Sequence, residues 1–531
     1  MILFLKKISI YPILMVTTIT LIFYFKNGTN IKDLFSSLVL AIFLLLIIWV
    51  VSYLLLRDIN KSAVFSLISA GILFTYQNTI YFIARTFIKI NLKSLALYCF
   101  THAGQWLYFL ICLLLLVALF ILVNKIDRIR NSITLYLNIF CVFFLVYAGA
   151  VGIINQNKNR ALRNDFTNYW RAVINSQVDQ KPDGTDEKNP DIYYIILDGF
   201  NRSDTLMRLY DLDNSEFINN LRSFGFFVAD NSFANYTQTR TSMASSLNMM
   251  YLDEVSELLD TNPSQVFPAY YMISNSTVEA QLQKMDYETV AFRSEAGFLD
   301  FADWDKYYAP VLIPNNYVQT FMSSTAISVF VDSLRYKWHD SLLKYNFKKI
   351  PQAGIQNGSQ FVFAHFYSPH PPFVYDVNGS IVHRNLIYST VDATHLKVLF
   401  SDQDFFAYYK EGYKNQIIYL QKNLLSLVDN IKKNSTQPFV IILQGDHGSG
   451  MFFDHDNLQK SDIKERLGIL NAIYFSDEDY QNLYPEISPV NTFRVIFSQY
   501  FGMNLPLLED RHFYTTFNDL FEFIPVDDRL N

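Results

Sequence analysis

The sequence predicts two unlike parts: an N-terminal α-helical membrane bundle of about five spans, and an α/β domain with a mostly parallel central sheet covered by helices on both faces. The chain has 531 residues, 51% of them hydrophobic, and the stretch before Gln156 is far more apolar than the rest. From Asp191 onward, short β-rich runs alternate with helical patterns, which favours a parallel sheet. We therefore expect a transmembrane domain at 1–155, a juxtamembrane linker at 156–190 and a globular domain at 191–531.

Five uncharged stretches precede Gln156, and each is long enough to cross a bilayer, which takes about 20 apolar residues. The third has Tyr76, Gln77 and Asn78 in its middle, and we expect these side chains to bond across helices inside the bundle. The predicted spans are Ile8–Phe25, Phe35–Leu56, Ser62–Ala84, Trp106–Val123 and Ile133–Ile154.

The predicted linker is polar, and its end is rich in Pro, Gly and Asp, as in flexible connectors. Before that end, Phe166, Tyr169 and Trp170 are aromatic, and we expect them to lie at the membrane surface.

Charge and cysteine content exclude several classes of function. The net charge of -6 gives no broad basic surface for nucleic acid. The three cysteines, Cys99, Cys112 and Cys141, all lie in the apolar part. The globular domain therefore has no disulfide framework and no cysteine-based metal site.

Four apolar runs in the globular domain predict buried strands, and two longer patterns predict helices. In open α/β sheets, functional groups gather at the carboxyl ends of the strands, so the residues after each run are the candidates for a site. The strands are Ile192–Leu197, Gln360–Phe366, Phe439–Gln444 and Ala472–Phe475, and the helices are Ser215–Phe224 and Phe405–Ile431.

Carboxylate and imidazole groups follow two of these strands. Asp198 and a glycine follow the first, although Asp-Gly is also a common turn. Asp446 and His447, with glycines on both sides, follow the third. Oxygen ligands together with an imidazole suit Zn²⁺ or Mn²⁺, so the sequence predicts a metal site here.

Two further segments carry groups suited to an anionic substrate. Three prolines stiffen the backbone around His370, whose imidazole could donate to a phosphate or sulfate oxygen. The segment Ala234–Asn248 is rich in hydroxyls and then becomes helical. A hydroxyl at a helix N-terminus beside a metal can become a nucleophile, whereas ordinary N-capping is the simpler explanation for such clusters.

Taken together, these segments resemble the alkaline phosphatase/sulfatase superfamily in order and spacing over roughly Asp191 to Phe475, with Asp446-His447-Gly448 as the most specific element. The membrane part is similar to that of lipoteichoic acid synthases and lipid A phosphoethanolamine transferases. Those enzymes move phospho-groups from a phospholipid onto a surface polymer or lipid outside the membrane.

The resemblance implies one divalent metal ion, Zn or Mn, held by Asp198, Thr239, Asp446 and His447. In the phosphotransferring relatives the nucleophile is a threonine about nine residues before a Leu–Thr/Asn pair. Counting back from Leu247-Asn248 gives Thr239, with Thr241 and Thr237 as the alternatives.

The resemblance also implies that His370 contacts the transferred group, and His455 resembles a second phosphate-contacting histidine, although the family spacing is longer. Arg240 could hold an oxyanion or be an ordinary surface arginine. Several relatives have Glu where this chain has Asp198, and Asp-Gly is closer to the phosphodiesterase branch. No clear ligand set for a second metal is present.

The expected function is a membrane-bound transferase that moves a phosphoethanolamine- or phosphoglycerol-type substituent from a phospholipid donor to a cell-envelope glycan or lipid, through a phosphothreonine. The alternative is a membrane-anchored sulfatase-like hydrolase or phosphodiesterase, and a non-enzymatic scaffold is a third. The Cys/Ser-x-Pro-x-Arg pattern of formylglycine sulfatases is absent. The sequence leaves the donor, the acceptor and the oligomeric state open.

The expected location is the bacterial inner membrane, with several spans and an extracytoplasmic globular domain. Lys and Arg nearly balance between the two sets of loops, so the positive-inside rule does not decide the orientation. We expect the N-terminus inside because five spans then place the globular domain outside, where envelope hydroxyl groups are found.

Overall fold

The structure is a computed structural model that describes residues 8–27, 31–127, 129, 131–158, 160–177, 189–259, 266–355, 358–382, 386–398, 400 and 402–530. The chain forms two compact units, which we call the helical unit and the α/β unit. The helical unit comprises Met1–Leu162, Leu312–Arg335 and Arg384–Tyr388, and the α/β unit comprises Arg163–Val311, Tyr336–His383 and Ser389–Asn531. The segment Leu312–Arg335, which we call the insert, lies within the range predicted for the globular domain but belongs to the helical unit.

Seven helices precede the α/β unit in the described part of the chain. They are α1 (Tyr11–Asn27), α2 (Ile31–Leu56), α3 (Ile59–Phe74), α4 (Tyr76–Lys89), α5 (Lys93–Cys99), α6 (His102–Lys125) and α7 (Asn131–Lys158).

Among the described residues, α2, α6 and α7 have the length and apolar composition of membrane-crossing helices. The consecutive helices α3 and α4 supply a fourth span if they are taken together, although they meet at an angle of 53°. Helix α1, which corresponds to the first predicted span, has only 17 residues. The structure thus supports three or four spans, and the count of five stays a prediction.

The polar residues of the third predicted span lie at the bend between α3 and α4. The hydroxyl of Tyr76 donates a hydrogen bond to the main-chain oxygen of Gln105 at 2.6 Å, so this side chain bonds across helices as expected. Gln77 is buried, whereas Asn78 is exposed. Of the three residues, only Tyr76 therefore has a recorded bond to another helix.

The rest of the chain contains thirteen further described helices. They are α8 (Arg160–Gln177), α9 (Ser203–Tyr210), α10 (Ser215–Ser223), α11 (Thr239–Ser246), α12 (Asp253–Leu258), α13 (Phe267–Ser274), α14 (Thr277–Lys284), α15 (Asn316–Ser324), α16 (Ser328–Lys349), α17 (Ala393–Lys397), α18 (Asp402–Asn434), α19 (Ile463–Leu467) and α20 (Pro489–Phe501).

Helix α8 occupies much of the range predicted as a linker, and its aromatic residues are buried in the α/β unit. Phe166 and Trp170 are 1% and 0% exposed, and the indole of Trp170 donates to the main-chain oxygen of Asn275 at 2.8 Å. Residues four apart share one face of a helix, and this face packs on Phe267 and Tyr271. The expectation that these two aromatics lie at the membrane surface is therefore wrong.

Most of the flexible connector predicted before Asp191 falls on residues 178–188, outside the described residues. The strands of the described chain are β1 (Asp191–Leu197), β2 (Phe227–Val228), β3 (Glu288–Phe292), β4 (Lys306–Tyr308), β5 (Gln360–Phe366), β6 (Phe439–Gln444), β7 (Asn471–Phe475), β8 (Phe513–Tyr514) and β9 (Ile524–Pro525).

Seven of these strands form one sheet in the order β2-β7-β6-β1-β5-β3-β4. Strands β6, β1, β5, β3 and β4 pair in parallel, whereas β7 is antiparallel to both of its neighbours, β6 and β2. The sheet is thus mixed, which corrects the prediction of a mostly parallel sheet. The chain reverses between β6 and β7 without a long crossover helix, as only antiparallel neighbours allow.

The central strands carry the core. Every residue of β1, β5 and β6 is buried, and Tyr194 of β1 packs edge-on against Phe493 of α20 with ring centroids 5.0 Å apart. In the pairing register Ile196 lies beside both His365 and Gln444. The carboxyl ends of three adjacent strands therefore meet at one edge of the sheet.

Candidate functional site

Asp198 directly follows β1 and is 1% exposed. Its main-chain N–H donates to the oxygen of Phe366, at the end of β5, at 3.0 Å. Gly199 then turns the chain with φ +78°, a conformation that glycine adopts without steric cost. The turn aims the N–H of Gly199 at the Oδ1 atom of Asp446, 3.1 Å away.

Asp446 and His447 follow β6 in a tight loop. The Oδ1 atom of Asp446 accepts from the N–H of Gly199 and from the N–H of His447 at 2.9 Å, while Oδ2 has no hydrogen-bond partner among the described residues. Gly448 allows the loop to close, because a Cβ atom there would lie 2.1 Å from the oxygen of Glu465. The loop thus presents one free carboxylate oxygen.

His365 is a functional candidate that the sequence reasoning missed. It is the penultimate residue of β5 and is 1% exposed. Its Nδ1 atom bonds the hydroxyl of Ser294 at 2.9 Å, and its Nε2 atom lies 3.5 Å from Oδ2 of Asp198. A histidine near the carboxyl end of an otherwise apolar strand was the signal available in the sequence.

Three buried side chains converge at this sheet edge. Ligand atoms of Asp198, His365 and Asp446, one from each, all lie within 4.8 Å of one another. Oδ1 of Asp198, Nε2 of His365 and Oδ2 of Asp446 are buried and have no hydrogen-bond partner among the described residues. Buried polar atoms are normally paired, so this convergence fits a group that is not part of the protein chain.

His447 borders the same cluster. Its Nδ1 atom donates to the oxygen of Gly448 at 2.8 Å, which leaves the lone pair on Nε2. Nε2 lies 3.7 Å from Oδ1 of Asp198 and 3.5 Å from Oδ2 of Asp446. Two carboxylates and two imidazoles are therefore close together, a donor set that suits Zn²⁺.

The charges of the cluster favour metal-ligating protonation states. Burial opposes ionisation of Asp198, but the imidazoles of His370 and His365 outweigh it and lower its pKa. Burial, reinforced by the Arg466 guanidinium, lowers the pKa of His447. The carboxylate is then ionised and the imidazole neutral, the forms in which both bind metals.

Thr239 is the first residue of α11, with Gln238 as its N-cap. Its hydroxyl lies 3.0 Å from Nε2 of His447. The two alternative threonines are held elsewhere: Thr241 donates to the oxygen of Gln238 at 3.1 Å, and the hydroxyl of Thr237 lies 3.3 Å from that of Thr515. Of the three candidates, Thr239 is the one whose hydroxyl has a recorded bond to the cluster.

His370 lies beside the cluster rather than in it. Its N–H donates to the main-chain oxygen of Asp198 at 3.0 Å, and its Nδ1 atom donates to the oxygen of Pro371 at 2.6 Å. Nε2 is 4.0 Å from Oδ1 of Asp392. The backbone around the three prolines thus fixes one imidazole next to the first strand tip.

His455 belongs to a charged group centred on Asp392, which sequence reasoning did not find. Oδ2 of Asp392 accepts from Nε2 of His455 at 2.7 Å and from Arg466 at 2.9 Å. Burial opposes ionisation of Asp392, but Arg466 and His455 hold its pKa well below the usual range. Nδ1 of His455 lies 3.3 Å from the amide of Gln238, so both of its ring nitrogens have protein partners.

Arg466 connects this group to the predicted metal site. It is 2% exposed, and its Nη2 atom also lies 3.3 Å from Nε2 of His447. Its Nε atom donates to the oxygen of Thr237 at 2.8 Å. A buried, fixed guanidinium therefore stands close to Thr239, but nothing in the local sequence of α19 indicated it.

Arg240, the predicted oxyanion partner, points elsewhere. Its Nε atom donates to the hydroxyl of Tyr270 at 3.1 Å, and its guanidinium lies over the rings of Tyr270, Phe298 and Phe517 at 5.6, 5.5 and 5.9 Å. Within the described residues it has no recorded bond to Thr239 or His447.

A buried carboxylate supports the loop that carries His447. Glu465, which is 0% exposed, accepts from the hydroxyls of Ser449 at 2.6 Å and Tyr210 at 3.1 Å. It also accepts from the N–H groups of Met451 and Phe452, each at 2.7 Å. Four donors on one side chain fix the segment that follows Gly448.

Comparison with known proteins gives distant structural likenesses only. The sequence matches no family model and no curated protein. The structure is similar to the integral membrane protein lipooligosaccharide phosphoethanolamine transferase A from Neisseria meningitidis, with 11% identity, a TM-score of 0.40 and coverage of 93% of this chain and 95% of that one.

Two further likenesses are to a periplasmic domain and to a putative sulfatase. The C-terminal periplasmic domain of EcEptC from Escherichia coli, in complex with Zn, is 12% identical over 65% of this chain and 94% of its own, with a TM-score of 0.40. A putative sulfatase from Bacteroides thetaiotaomicron is 13% identical over 60% of this chain and 72% of its own, with a TM-score of 0.37. The matched proteins are of the classes that the sequence resembles, yet at these values function has to be argued from the residues of this chain.

Proposed function

We propose that this protein is a membrane-bound, metal-dependent phosphotransferase. It moves a phospho-substituent, of the phosphoethanolamine or phosphoglycerol type, from a phospholipid donor to a glycan or lipid of the cell envelope. Thr239 is the nucleophile, and a phosphothreonine is the covalent intermediate.

One observation carries this proposal: the hydroxyl of Thr239 lies 3.0 Å from Nε2 of His447, at the first position of an eight-residue helix. A helix N-terminus favours negative charge, both on an oxygen nucleophile and on the phosphate that it attacks. The other two threonines are engaged in bonds away from this point. Thr239 is therefore the hydroxyl best placed for attack.

The residues fit one divalent metal ion. The unpartnered atoms of Asp198, His365 and Asp446 supply two oxygens and a nitrogen, and Nε2 of His447 supplies a second nitrogen. Imidazole together with carboxylate favours zinc, with manganese as the alternative. When bound, the ion supplies Lewis-acid chemistry: it lowers the pKa of a nearby hydroxyl and offsets phosphoryl charge.

The reaction proceeds in two balanced halves. In the first, Oγ1 of Thr239 forms a bond to the donor phosphorus, and the bond from phosphorus to the diacylglycerol oxygen breaks. The proton lost by the threonine balances the one gained by that leaving oxygen. In the second half an acceptor hydroxyl attacks the same phosphorus, and the Thr239 hydroxyl is regenerated.

The surrounding residues bind and orient the phosphoryl group. Nε2 of His370 is the ring nitrogen left for the substrate, because its Nδ1 atom already donates to the oxygen of Pro371; Nε2 donates to a phosphoryl oxygen when the ring is an imidazolium and accepts a proton when the ring is neutral. Arg466 offers a buried cation for the phosphoryl oxygens, and Asp392 fixes Arg466 and His455 in place. The proposed catalytic set leaves out Arg240, whose guanidinium lies over aromatic rings.

The proposed location is the bacterial inner membrane, with the α/β unit on the extracytoplasmic side. The acceptor hydroxyls are found there, and several helices with the length of spans suit an enzyme whose donor is a lipid. The proposed partners are thus a phospholipid donor and an envelope glycan or glycolipid acceptor.

The test is to incubate the purified full-length chain with zinc and radiolabelled phosphatidylethanolamine or phosphatidylglycerol, with and without an isolated envelope glycolipid fraction. We expect diacylglycerol release and transfer of the label to the glycolipid. Release of diacylglycerol with the label appearing only as a free phosphomonoester would favour the hydrolase alternative. No release from either lipid in the metal-loaded protein would overturn the proposal.

A further inference from the structure

The turn between Pro310 and Pro314 carries the most exposed large hydrophobic side chains recorded in the described structure. Val311 is 96% exposed and Leu312 is 91% exposed. By comparison, Val377, in a turn of the α/β unit, is 57% exposed. Single exposed aliphatic residues are common on soluble surfaces, but two adjacent ones at the tip of a turn indicate a surface that is covered in the native setting.

Leu312 is the first residue of the insert, which packs within the helical unit. The ring of Tyr317 lies 5.5 Å from that of Phe23 near the end of α1, and its hydroxyl lies 3.3 Å from that of Ser37 in the early part of α2. The beginning of the insert is therefore seated where α1 ends and α2 begins.

The rest of the insert follows the same end of the bundle. The N–H of Ala326 donates at 2.8 Å to the oxygen of Leu73, in the last turn of α3. Phe330 packs edge-on against Trp106, in the first turns of α6, with ring centroids 5.4 Å apart. The insert thus contacts the end of α1, the beginnings of α2 and α6, and the bend between α3 and α4; the end of α1 and the beginning of α2 lie at one membrane face, because consecutive spans alternate in direction.

The neighbouring bundle surface is apolar and exposed. At the level of Ser37 on α2, Phe35 and Val39 are 63% and 69% exposed, as expected for side chains in contact with acyl chains. The turn ends five residues before Tyr317 along the chain, and Leu312 belongs to the same unit as this apolar surface.

We propose that the Val311–Leu312 turn inserts into the lipid bilayer at the membrane face marked by the insert. The partner that covers the two side chains is the lipid itself. The flanking prolines lack N–H groups and restrict the backbone, which reduces the number of polar groups that the inserted turn takes out of water. Asn315 and Asn316, just beyond it, suit the headgroup region. This inference rests on exposure and packing, and it is independent of the proposed reaction.

Site-specific photocrosslinking in the full-length chain tests the proposal. Benzoylphenylalanine is introduced singly at Val311, Leu312, Val39 or Val377, and each protein is reconstituted into vesicles of phosphatidylethanolamine and phosphatidylglycerol. After irradiation, covalent lipid adducts are measured by mass spectrometry. Val39 serves as the lipid-facing reference and Val377 as the exposed control.

We expect lipid adducts at Val311 and Leu312 at a level close to that at Val39 and several times that at Val377. Labelling of Val311 and Leu312 no greater than at Val377 would overturn the proposal, provided that Val39 is labelled. Each variant carries one substitution at an exposed position, so the four proteins are comparable in fold.

Discussion

Replacing His365 by alanine tests the proposed metal site at the ligand that the structure shows and the sequence analysis missed. The imidazole is buried, and its Nε2 atom is one of the three unpartnered atoms that converge with Asp198 and Asp446. The substitution removes one of four proposed ligands and leaves the two carboxylates in place. We expect His365→Ala to bind zinc far more weakly than the wild type.

A lower limit for the loss of zinc affinity in His365→Ala comes from Ser294, whose hydroxyl lies 2.9 Å from Nδ1 of His365. Partners that orient a ligating histidine typically contribute about 10–100-fold to metal affinity. At about 1.4 kcal/mol per factor of ten, Ser294→Ala should therefore weaken binding by about 1.4–2.8 kcal/mol. Loss of the ligand itself in His365→Ala should cost more than that.

The assay is competition of the full-length, detergent-purified protein with a zinc-binding chromophore, with circular dichroism as the check on folding. His395→Ala is the matched control, since this exposed histidine contacts Phe517 and His455 rather than the cluster. Folded His365→Ala protein with wild-type zinc affinity would refute the reasoning.

Three other predictions follow from the same site. Thr239→Ala should abolish transfer but keep zinc binding by the carboxylates, whereas Thr241→Ala should keep measurable turnover. If a donor-cleavage assay shows the reverse pattern, the nucleophile is Thr241 and not Thr239. Glu465→Gln should lower the midpoint temperature of thermal unfolding, because the buried carboxylate accepts from four donors and an amide accepts through one oxygen only. The expected loss in the free energy of unfolding is about 1–3 kcal/mol. An unchanged midpoint would argue against the supporting role of Glu465. Burial and the Arg466 guanidinium lower the pKa of His447, so Arg466→Gln should raise that pKa and make zinc affinity begin to fall at a higher pH than in the wild type; zinc titrations in which both proteins lose affinity over the same pH range would contradict this direction.

The central strands could be predicted because each is a short run of mostly apolar residues. The predicted runs Gln360–Phe366 and Phe439–Gln444 have the bounds of β5 and β6, and the prediction for β1 starts one residue late. Strands β3 and β4 went unpredicted, since β3 mixes Glu and Thr with its apolar residues and β4 has three residues. Strand β4 at the sheet edge and β3 beside it are defined by their neighbours in the sheet rather than by their own composition.

The site residues that directly follow a strand of the sheet could be predicted from the sequence. Those that come from loops or short helices elsewhere in the chain could not. Asp198 and Asp446 follow β1 and β6 directly, so the general rule for α/β sheets brings them together. Asp392 and Arg466 come from a loop and a five-residue helix, and only the folded chain shows their ion pair. The same holds for the insert, because no local pattern indicates that a segment after β4 packs in the helical unit.

The aromatic residues of α8 show how composition alone misleads. Trp170 has the amphipathic ring of membrane-surface aromatics and Phe166 lies one helical turn before it, yet both are buried in the α/β unit. Their spacing of four residues is equally typical of a helix that packs on protein. Only the contacts with Phe267 and Tyr271 distinguish the two cases.

The most direct test of the central claim is to detect the covalent intermediate. The zinc-loaded, full-length protein is mixed with phosphatidylethanolamine or phosphatidylglycerol in the absence of acceptor, quenched in acid, digested and analysed by tandem mass spectrometry. We predict a phospho-substituent on the hydroxyl of Thr239 that is absent from Thr239→Ala and disappears when acceptor is added. Diacylglycerol release by Thr239→Ala at the wild-type rate, or a modification confined to another residue, would contradict the account.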